Sequence, residues 1–256
     1  MISNADRGGR SLLTAEVVHI PINGTRLNVL AEVMSQNPAI EDAYIALFGS
    51  ARLSRPLVSG KSILVTSTAP GEGKTTVASC LAITASLAGQ SVLLVDGDLR
   101  RLTLASALGI AHAVGLTEVL SGEIAVQQGI HPVTLLGRSP KSATVNVMAG
   151  GRKSPVVLPA LDWTSARNTF QSVSQTFDLI LVDSPPILAA NDALLLANIV
   201  DAVLMVVGAG NANLEELRRA KEQLEQTSAP VIGAVLNRFD GQSNQPYGGY
   251  YRRSEP

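Results

Sequence analysis

The stretch TSTAPGEGKTT, Thr66 to Thr76, limits what this chain can fold into more than any other. It follows a short apolar run, KSILV from Lys61 to Val65, which reads as a buried strand. It precedes VASCLAITASLAG, whose small and apolar residues recur at helical spacing up to Gly89. A strand, a glycine-rich turn and a helix opening on Gly-Lys-Thr form the setting a phosphate-binding loop requires. Gly71 and Gly73 carry no Cβ, so the chain can curl until its N–H groups converge on one point. The helix N-terminus adds unpaired donors and a partial positive charge. Lys74 has the reach for the β- and γ-phosphates, and the Thr75 hydroxyl suits a Mg²⁺ ligand. The nucleotide contacts expected from the loop are Ala69, Pro70, Gly71, Glu72, Gly73, Lys74, Thr75 and Thr76. The strict pattern wants glycine six residues before the lysine, and Thr68 stands there. A turn without chemistry would leave Lys74 and Thr75 unexplained, so the stretch reads as a nucleotide site.

At 256 residues the chain suits one large α/β domain with appendages. Hydrophobic residues make up 46 % and the net charge is −1, so no global field favours nucleic acid or a membrane surface. The single cysteine, Cys80, falls on the apolar helix after the loop; it reads as a small core residue and fits a reducing cytoplasm. The polar start MISNADRGGR predicts no signal peptide. The most apolar stretch, Ala193 to Gly210, is interrupted by Asn198 and Asp201 and divides better into a helix and a strand than into a membrane span. The chain is therefore expected to be soluble.

Residues 1–37 show no sustained period and are expected to form a flexible arm, ahead of a phosphate-loop domain over 38–240. In AIEDAYIALFGSARL, Ile40, Tyr44, Leu47 and Phe48 share one helical face, the pattern of an interface helix that packs on the domain or on a neighbouring subunit. A second strand, SVLLVDGD from Ser91 to Asp98, ends in two carboxylates followed by Leu99, Arg100 and Arg101. Residues at i and i+2 share a face while the chain stays extended. Asp96 and Asp98 are thus expected to look into the crevice at the carboxyl end of the sheet, where open α/β sheets bind ligands; an ordinary Asp-Gly turn is the alternative. Residues 102–150 read as short helices (LASALGI, GLTEVLSGE), a loop with Pro132, and a strand at ATVNVMAGG. A helix is expected over Leu158–Gln175. FDLILVDSPP is another buried strand, and its Asp183 has the placing of a carboxylate that orders a magnesium shell. Helix over Ala193–Ile199, strand over Ala202–Val207, charged helix over Leu214–Gln226 and strand over Val231–Leu236 complete the alternation. It implies a mostly parallel sheet with helices on both faces.

The chain closes on QSNQPYGGYYRRSEP, and residues 241–256 read as a flexible tail. Of the four tyrosines, Tyr247, Tyr250 and Tyr251 fall in the last ten residues. A tyrosine usually buries its ring, and such a tail offers no core. Their hydroxyls read as substrates, with aromatic docking to a partner as the plainer alternative.

Taken together, APGEGKT, LLVDGDLRR, LILVDSPP and a terminal Tyr-Gly cluster resemble the bacterial tyrosine kinases, autokinases of capsule and exopolysaccharide synthesis. The resemblance runs from about residue 38 to the end and implies a partition-ATPase-like P-loop fold. It implies ATP and Mg²⁺ as cofactors, with Lys74 and Thr75 on phosphate and metal. Asp96 would assist deprotonation of an incoming tyrosine, Asp98 and Asp183 would serve the metal, and Asn237, in AVLNRF, would contact adenine. Tyr247, Tyr250 and Tyr251 would be the autophosphorylation sites. It further implies self-association with a ring as one form, a membrane activator related to polysaccharide chain-length regulators, and a tyrosine phosphatase. The chain would then be cytoplasmic and recruited to the inner face of the membrane.

Some departures stand out. Partition and septum-placing ATPases carry a signature lysine where this chain has Ala69. The family's ring-forming E-x-x-R-x-x-R pattern, aligned on Tyr44, meets Asp42, Ile45 and Phe48, and the arginine pair precedes Leu102 and Thr103 instead of proline. A switch ATPase with a docking tail, or a nucleotide-binding regulatory subunit, are the rival functions.

Overall fold

Apolar runs too short and too continuous for surface helices become strands covered on both faces. The computed structural model describes residues 16–17, 27–54, 60–108, 110, 113–135, 143–152, 163–210 and 212–239. In chain order the elements are β1 (Glu16–Val17), α1 (Leu27–Gln36), α2 (Pro38–Arg52), β2 (Ser62–Ser67), α3 (Lys74–Leu87), β3 (Val92–Asp96), α4 (Thr103–Leu108) and α5 (Leu116–Leu120). There follow β4 (Ile130–Leu135), β5 (Ala143–Met148), α6 (Trp163–Ser174), β6 (Leu179–Asp183), α7 (Asn191–Ala197), β7 (Ala202–Gly208), α8 (Leu214–Leu224) and β8 (Val231–Asn237). The sheet order is β1-β8-β7-β2-β6-β3-β5-β4, with every neighbouring pair parallel except β4 and β5. The expected α/β fold, a mostly parallel sheet between helices, is what forms.

The central strands β7, β2, β6 and β3 are buried along their whole length. Their side chains divide by the period of two between two cores. Ile63, Val65, Leu94 and Leu181 face α1, α2 and α3, whereas Leu64, Leu93, Val95, Ile180 and Val182 face the side of α6, α7 and α8. Helix α3 is apolar nearly all round, because the sheet covers one side and α1 and α2 cover the other. Cys80 lies in that layer, its thiol pushed up to about 12 by burial, and Tyr44 packs wholly buried beside it. Cys80 is thus the core residue its surroundings in sequence suggest.

Part of the expected arm belongs to the folded body. Leu27, Leu30 and Met34 recur at spacings of three and four and are buried in the first core, so residues 27–36 form α1. The helix is only ten residues long, and the polar residues around it hide its period. Pro132, expected in a loop, lies inside β4 opposite Asn146. Proline has no N–H for a ladder, but β4 is an edge strand, where a missing donor is tolerated.

Beyond the end of β5, Glu118 holds α5 in place. Its carboxylate accepts from the backbone N–H groups of Gly115 (2.9 Å) and Arg152 (3.0 Å) and from Arg152 Nε (2.9 Å). Burial works against that charge, but these donors outweigh it and hold the carboxyl down at about 2.

Two outcomes are expected from this packing. Leu30→Ala should lower the unfolding free energy by about 2–5 kcal/mol in urea titrations, and Val29→Ala, on the exposed side of α1, by less than about 0.5 kcal/mol. Glu118→Gln should be less stable than the parent at pH 7. Because the folded carboxyl titrates below its ordinary 4.5, that difference should shrink as pH falls from about 4.5 towards 2, followed by denaturation at each pH.

Candidate active site

The loop residues 69–76, Asp96, Asp98, Asp183 and Asn237 all lie near the ends of the central strands. Strand β2 runs into the loop 68–73, and α3 begins at Lys74. Gly71 and Gly73 both adopt left-handed backbone, φ 81° and 97°. At Gly73 space is short as well, since a Cβ would fall 2.0 Å from Asn237 Nδ2. That contact exists because Asn237, the last residue of β8, donates Nδ2–H to the Glu72 carbonyl at 2.8 Å.

Glu72 turns its side chain away from the cleft and fastens the loop. Oε2 accepts from Ala69 N (2.8 Å) and Thr68 Oγ1 (2.9 Å), while Oε1 accepts from Gly208 N (3.0 Å) at the end of β7. The departure at Thr68 has its reason here, for a glycine would supply no hydroxyl to Glu72.

Lys74 is 8 % exposed. Burial lowers its pKa, and Asp183, Asp98 and Glu72 oppose the shift. Thr75 Oγ1 donates to Asp183 Oδ2 at 2.6 Å, whereas Asp183 Oδ1 is buried without a hydrogen-bond partner. Burial raises the Asp183 carboxyl to about 6, against the Thr75 hydrogen bond and the Lys74 charge.

The two carboxylates at the end of β3, Asp96 within the strand and Asp98 just beyond it, separate. Asp98 lines the cleft. Asp96, 0 % exposed, lies beneath it, with Oδ1 accepting from Asp98 N (3.3 Å) and Oδ2 from Ala105 N (3.1 Å) in α4. Burial, reinforced by the Asp183 charge, raises Asp96 to about 8 despite those donors. The Asp-Gly-Asp segment is no free turn, because Gly97 N donates to the Asp183 carbonyl at 2.7 Å and a Cβ at Gly97 would meet that oxygen at 2.8 Å.

The cleft holds about 870 Å³ of empty space, open solvent included, and Pro70, Gly71, Gly73, Lys74, Thr75 and Thr76 form its loop wall. Asp98 and Asn237 complete the expected set on the other side. Ala69 and Glu72 belong to the loop but do not line the cleft, and Asp96 and Asp183 stand behind the lining. Tyr247, Tyr250 and Tyr251 lie outside the described residues. Sequence reasoning missed Arg101, Thr103, Pro186 and Arg238, which also line the cleft. The signal for Arg101 was its place just after the Asp-Gly-Asp segment; Arg238 had only its place beside Asn237. An open, cationic-walled loop at a helix N-terminus, backed by carboxylates, can bind a nucleotide through its phosphates.

Comparison with known proteins agrees with this geometry. Residues 59–244 match the ParA family, described as NUBPL iron-transfer P-loop NTPase. The chain is 31 % identical to the tyrosine-protein kinase YwqD of Bacillus subtilis (strain 168) over 190 residues, 74 % of this chain and 77 % of that one. It is 33 % identical to the tyrosine-protein kinase CpsD of Streptococcus pneumoniae serotype 4 over 201 residues, covering 78 % and 85 %. The crystal structure of the chimerical protein CapA2B2 superimposes with a TM-score of 0.72 at 25 % identity, over 90 % of this chain and 94 % of that one. With a phosphate loop, two strands that end in aspartate and relatives of this kind, the chain belongs to the bacterial tyrosine-protein kinase family, within the ParA-like P-loop NTPases.

Proposed function

We propose that the chain is an ATP- and Mg²⁺-dependent protein-tyrosine kinase that phosphorylates Tyr247, Tyr250 and Tyr251 on the tail of another copy. The observation that carries this reading is the meeting of Lys74, the Thr75–Asp183 pair and Asp98 at one cleft, in a chain of the tyrosine-kinase family.

The donor set suits magnesium. Asp183 Oδ1 is a buried carboxylate oxygen with nothing to bind, and its partner oxygen is fixed by Thr75. Among the described residues no group of three or more His, Cys, Asp or Glu could hold a metal ion alone. Such a set fits an ion that keeps waters and takes phosphate oxygens. Thr75, Asp98 and Asp183 would hold it, and when bound it would neutralise charge on the transferring phosphoryl group. Lys74 would hold the β- and γ-phosphates, the loop N–H groups would orient them, and Asn237, which lines the cleft, would contact adenine.

The tyrosine oxygen would bond to the γ-phosphorus as the bond from that phosphorus to the bridging oxygen breaks and ADP leaves, and the hydroxyl proton would pass to the carboxylates of the Asp96–Asp98 turn. The resemblance gives the proton-accepting part to Asp96. In this chain Asp98 is the carboxylate on the cleft wall, and Asp96, with both oxygens engaged, acts through the turn that they share. Each phosphate adds about −1.5 to −2 charges, so a modified tail is repelled from an acidic site and from itself. Self-association, with a ring as one form, would present the tail. A membrane activator of the chain-length-regulator kind would recruit the kinase to the inner face of the membrane in capsule or exopolysaccharide synthesis, and a tyrosine phosphatase would reset it. Among the described residues no helix is long and apolar enough to cross a membrane.

Purified protein incubated with ATP and Mg²⁺ should gain phosphate by intact mass and by anti-phosphotyrosine blot, and truncation after Asn244 should remove the signal. Lys74→Met should reduce it about 10²-fold or more. ATP turnover without phosphotyrosine, even with an activator's cytoplasmic segment, would instead assign a switch ATPase; binding without turnover would assign a regulatory subunit.

A further inference from the structure

Two arginines stand side by side after β3, and the fold uses them differently. Arg100 is engaged: its Nε and Nη2 reach Asp192 Oδ2 (2.6 Å) and Oδ1 (3.2 Å) in the first turn of α7. That fork ties the segment after β3 to the next layer. Arg101 lines the cleft with an exposed side chain, and among the described residues no carboxylate pairs with its guanidinium. Its charge is close enough to work against that of Lys74. The two cations repel each other at this cleft, and the phosphates of a polyanion placed there would offset that repulsion.

The backbone is bent to hold this arrangement. Leu102 has φ 49°, a left-handed conformation that leucine rarely adopts. The Asp98 carbonyl accepts from both Arg101 N (3.1 Å) and Leu102 N (2.9 Å), and Asp98 Oδ1 lies 3.2 Å from Arg101 N. Leu102 is packed over Gly150, where a Cβ would lie 2.3 Å from its Cδ2. The aspartate on the cleft wall therefore fixes the turn that directs the chain at Arg101. At the start of the phosphate loop there is no competing cation: Ala69 occupies that place, and its N–H is taken by Glu72.

We propose that Arg101 is a phosphate-binding residue of this cleft, supplying from the same chain a second cation, beside Lys74, to the terminal phosphate of a bound nucleoside triphosphate. The guanidinium fork suits phosphate oxygens, and a cation there counters the charge that spreads over the phosphoryl group during transfer. The inference rests on the nucleotide reading of the cleft and not on tyrosine being the acceptor.

Its test is the affinity of the full chain for Mg²⁺·ATP and Mg²⁺·ADP, by calorimetry, in the parent, Arg101→Ala and Arg101→Lys. Arg101→Ala should weaken ATP tenfold or more and ADP less than threefold, with thermal unfolding of the nucleotide-free protein unchanged. Arg101→Lys should recover part of the ATP affinity. In single-turnover measurements at saturating ATP, Arg101→Ala should slow whichever phosphoryl transfer the parent performs, to tyrosine or to water, by 10²-fold or more. Equal losses for the two nucleotides, or none, would overturn the proposal. A parent that binds ATP but makes no phosphotyrosine would sink the kinase reading and leave the ATP-to-ADP comparison decisive for Arg101. A parent that binds neither nucleotide would overturn both.

Discussion

Burial at 8 % exposure works against the charge of Lys74, and Asp183, Asp98 and Glu72 oppose that effect. A buried ammonium needs partners at hydrogen-bonding or short Coulombic range, and no single segment could supply three. One comes from the loop after β2, one from the turn after β3 and one from the last residue of β6. The register of the sheet brings them together: β2, β6 and β3 are consecutive strands, and Asp96 lies opposite Asp183 in the ladder. The carboxylates in turn sit where burial pushes Asp183 to about 6 and Asp96 to about 8. The cleft is thus held under electrostatic tension by a scaffold whose two cores are well packed, the usual exchange of local stability for chemistry.

Much of this was legible in the residues. The phosphate loop is readable because glycines at left-handed positions, lysine and threonine have few other reasons to coincide, and the buried strands because runs such as VLLVD and LILVD suit sheets covered on both faces. The misses have physical causes. Helix α1 buries a stripe of only three side chains, which a short polar segment conceals. In β4, proline breaks the local rule, and only the sheet order reveals an edge that accepts it. An i, i+2 pair predicts a shared face, yet Gly97 docks on the Asp183 carbonyl and sends Asp96 and Asp98 to different surroundings. Glu72 looked like a nucleotide contact because it lies in the loop; its role as a fastener depends on Gly208, which is remote in sequence.

Departures from the family's pattern fall into two kinds. Thr68 is accommodated, since its hydroxyl is one of the donors to Glu72. The residues at the ring-forming pattern change the surface itself: Ile45 stands exposed on α2, and Arg52 lies 5.8 Å above the ring of Phe48 while its guanidinium donates to Gln90. A contact between copies built there would rest on apolar burial more than on the charge pairing of the usual pattern, and would respond less to salt.

The bond from Asn237 to the Glu72 carbonyl joins β8 to the phosphate loop, while Ala209 N, after β7, donates to the Asn237 carbonyl at 2.7 Å. The polypeptide that carries the three terminal tyrosines leaves the sheet from this same residue. Coupling between two sites is reciprocal by thermodynamic necessity: if occupancy of the loop changes the free energy of capturing the tail, tail capture changes nucleotide affinity by the same factor. One amide thereby ties the end of β8 to the backbone of the phosphate loop.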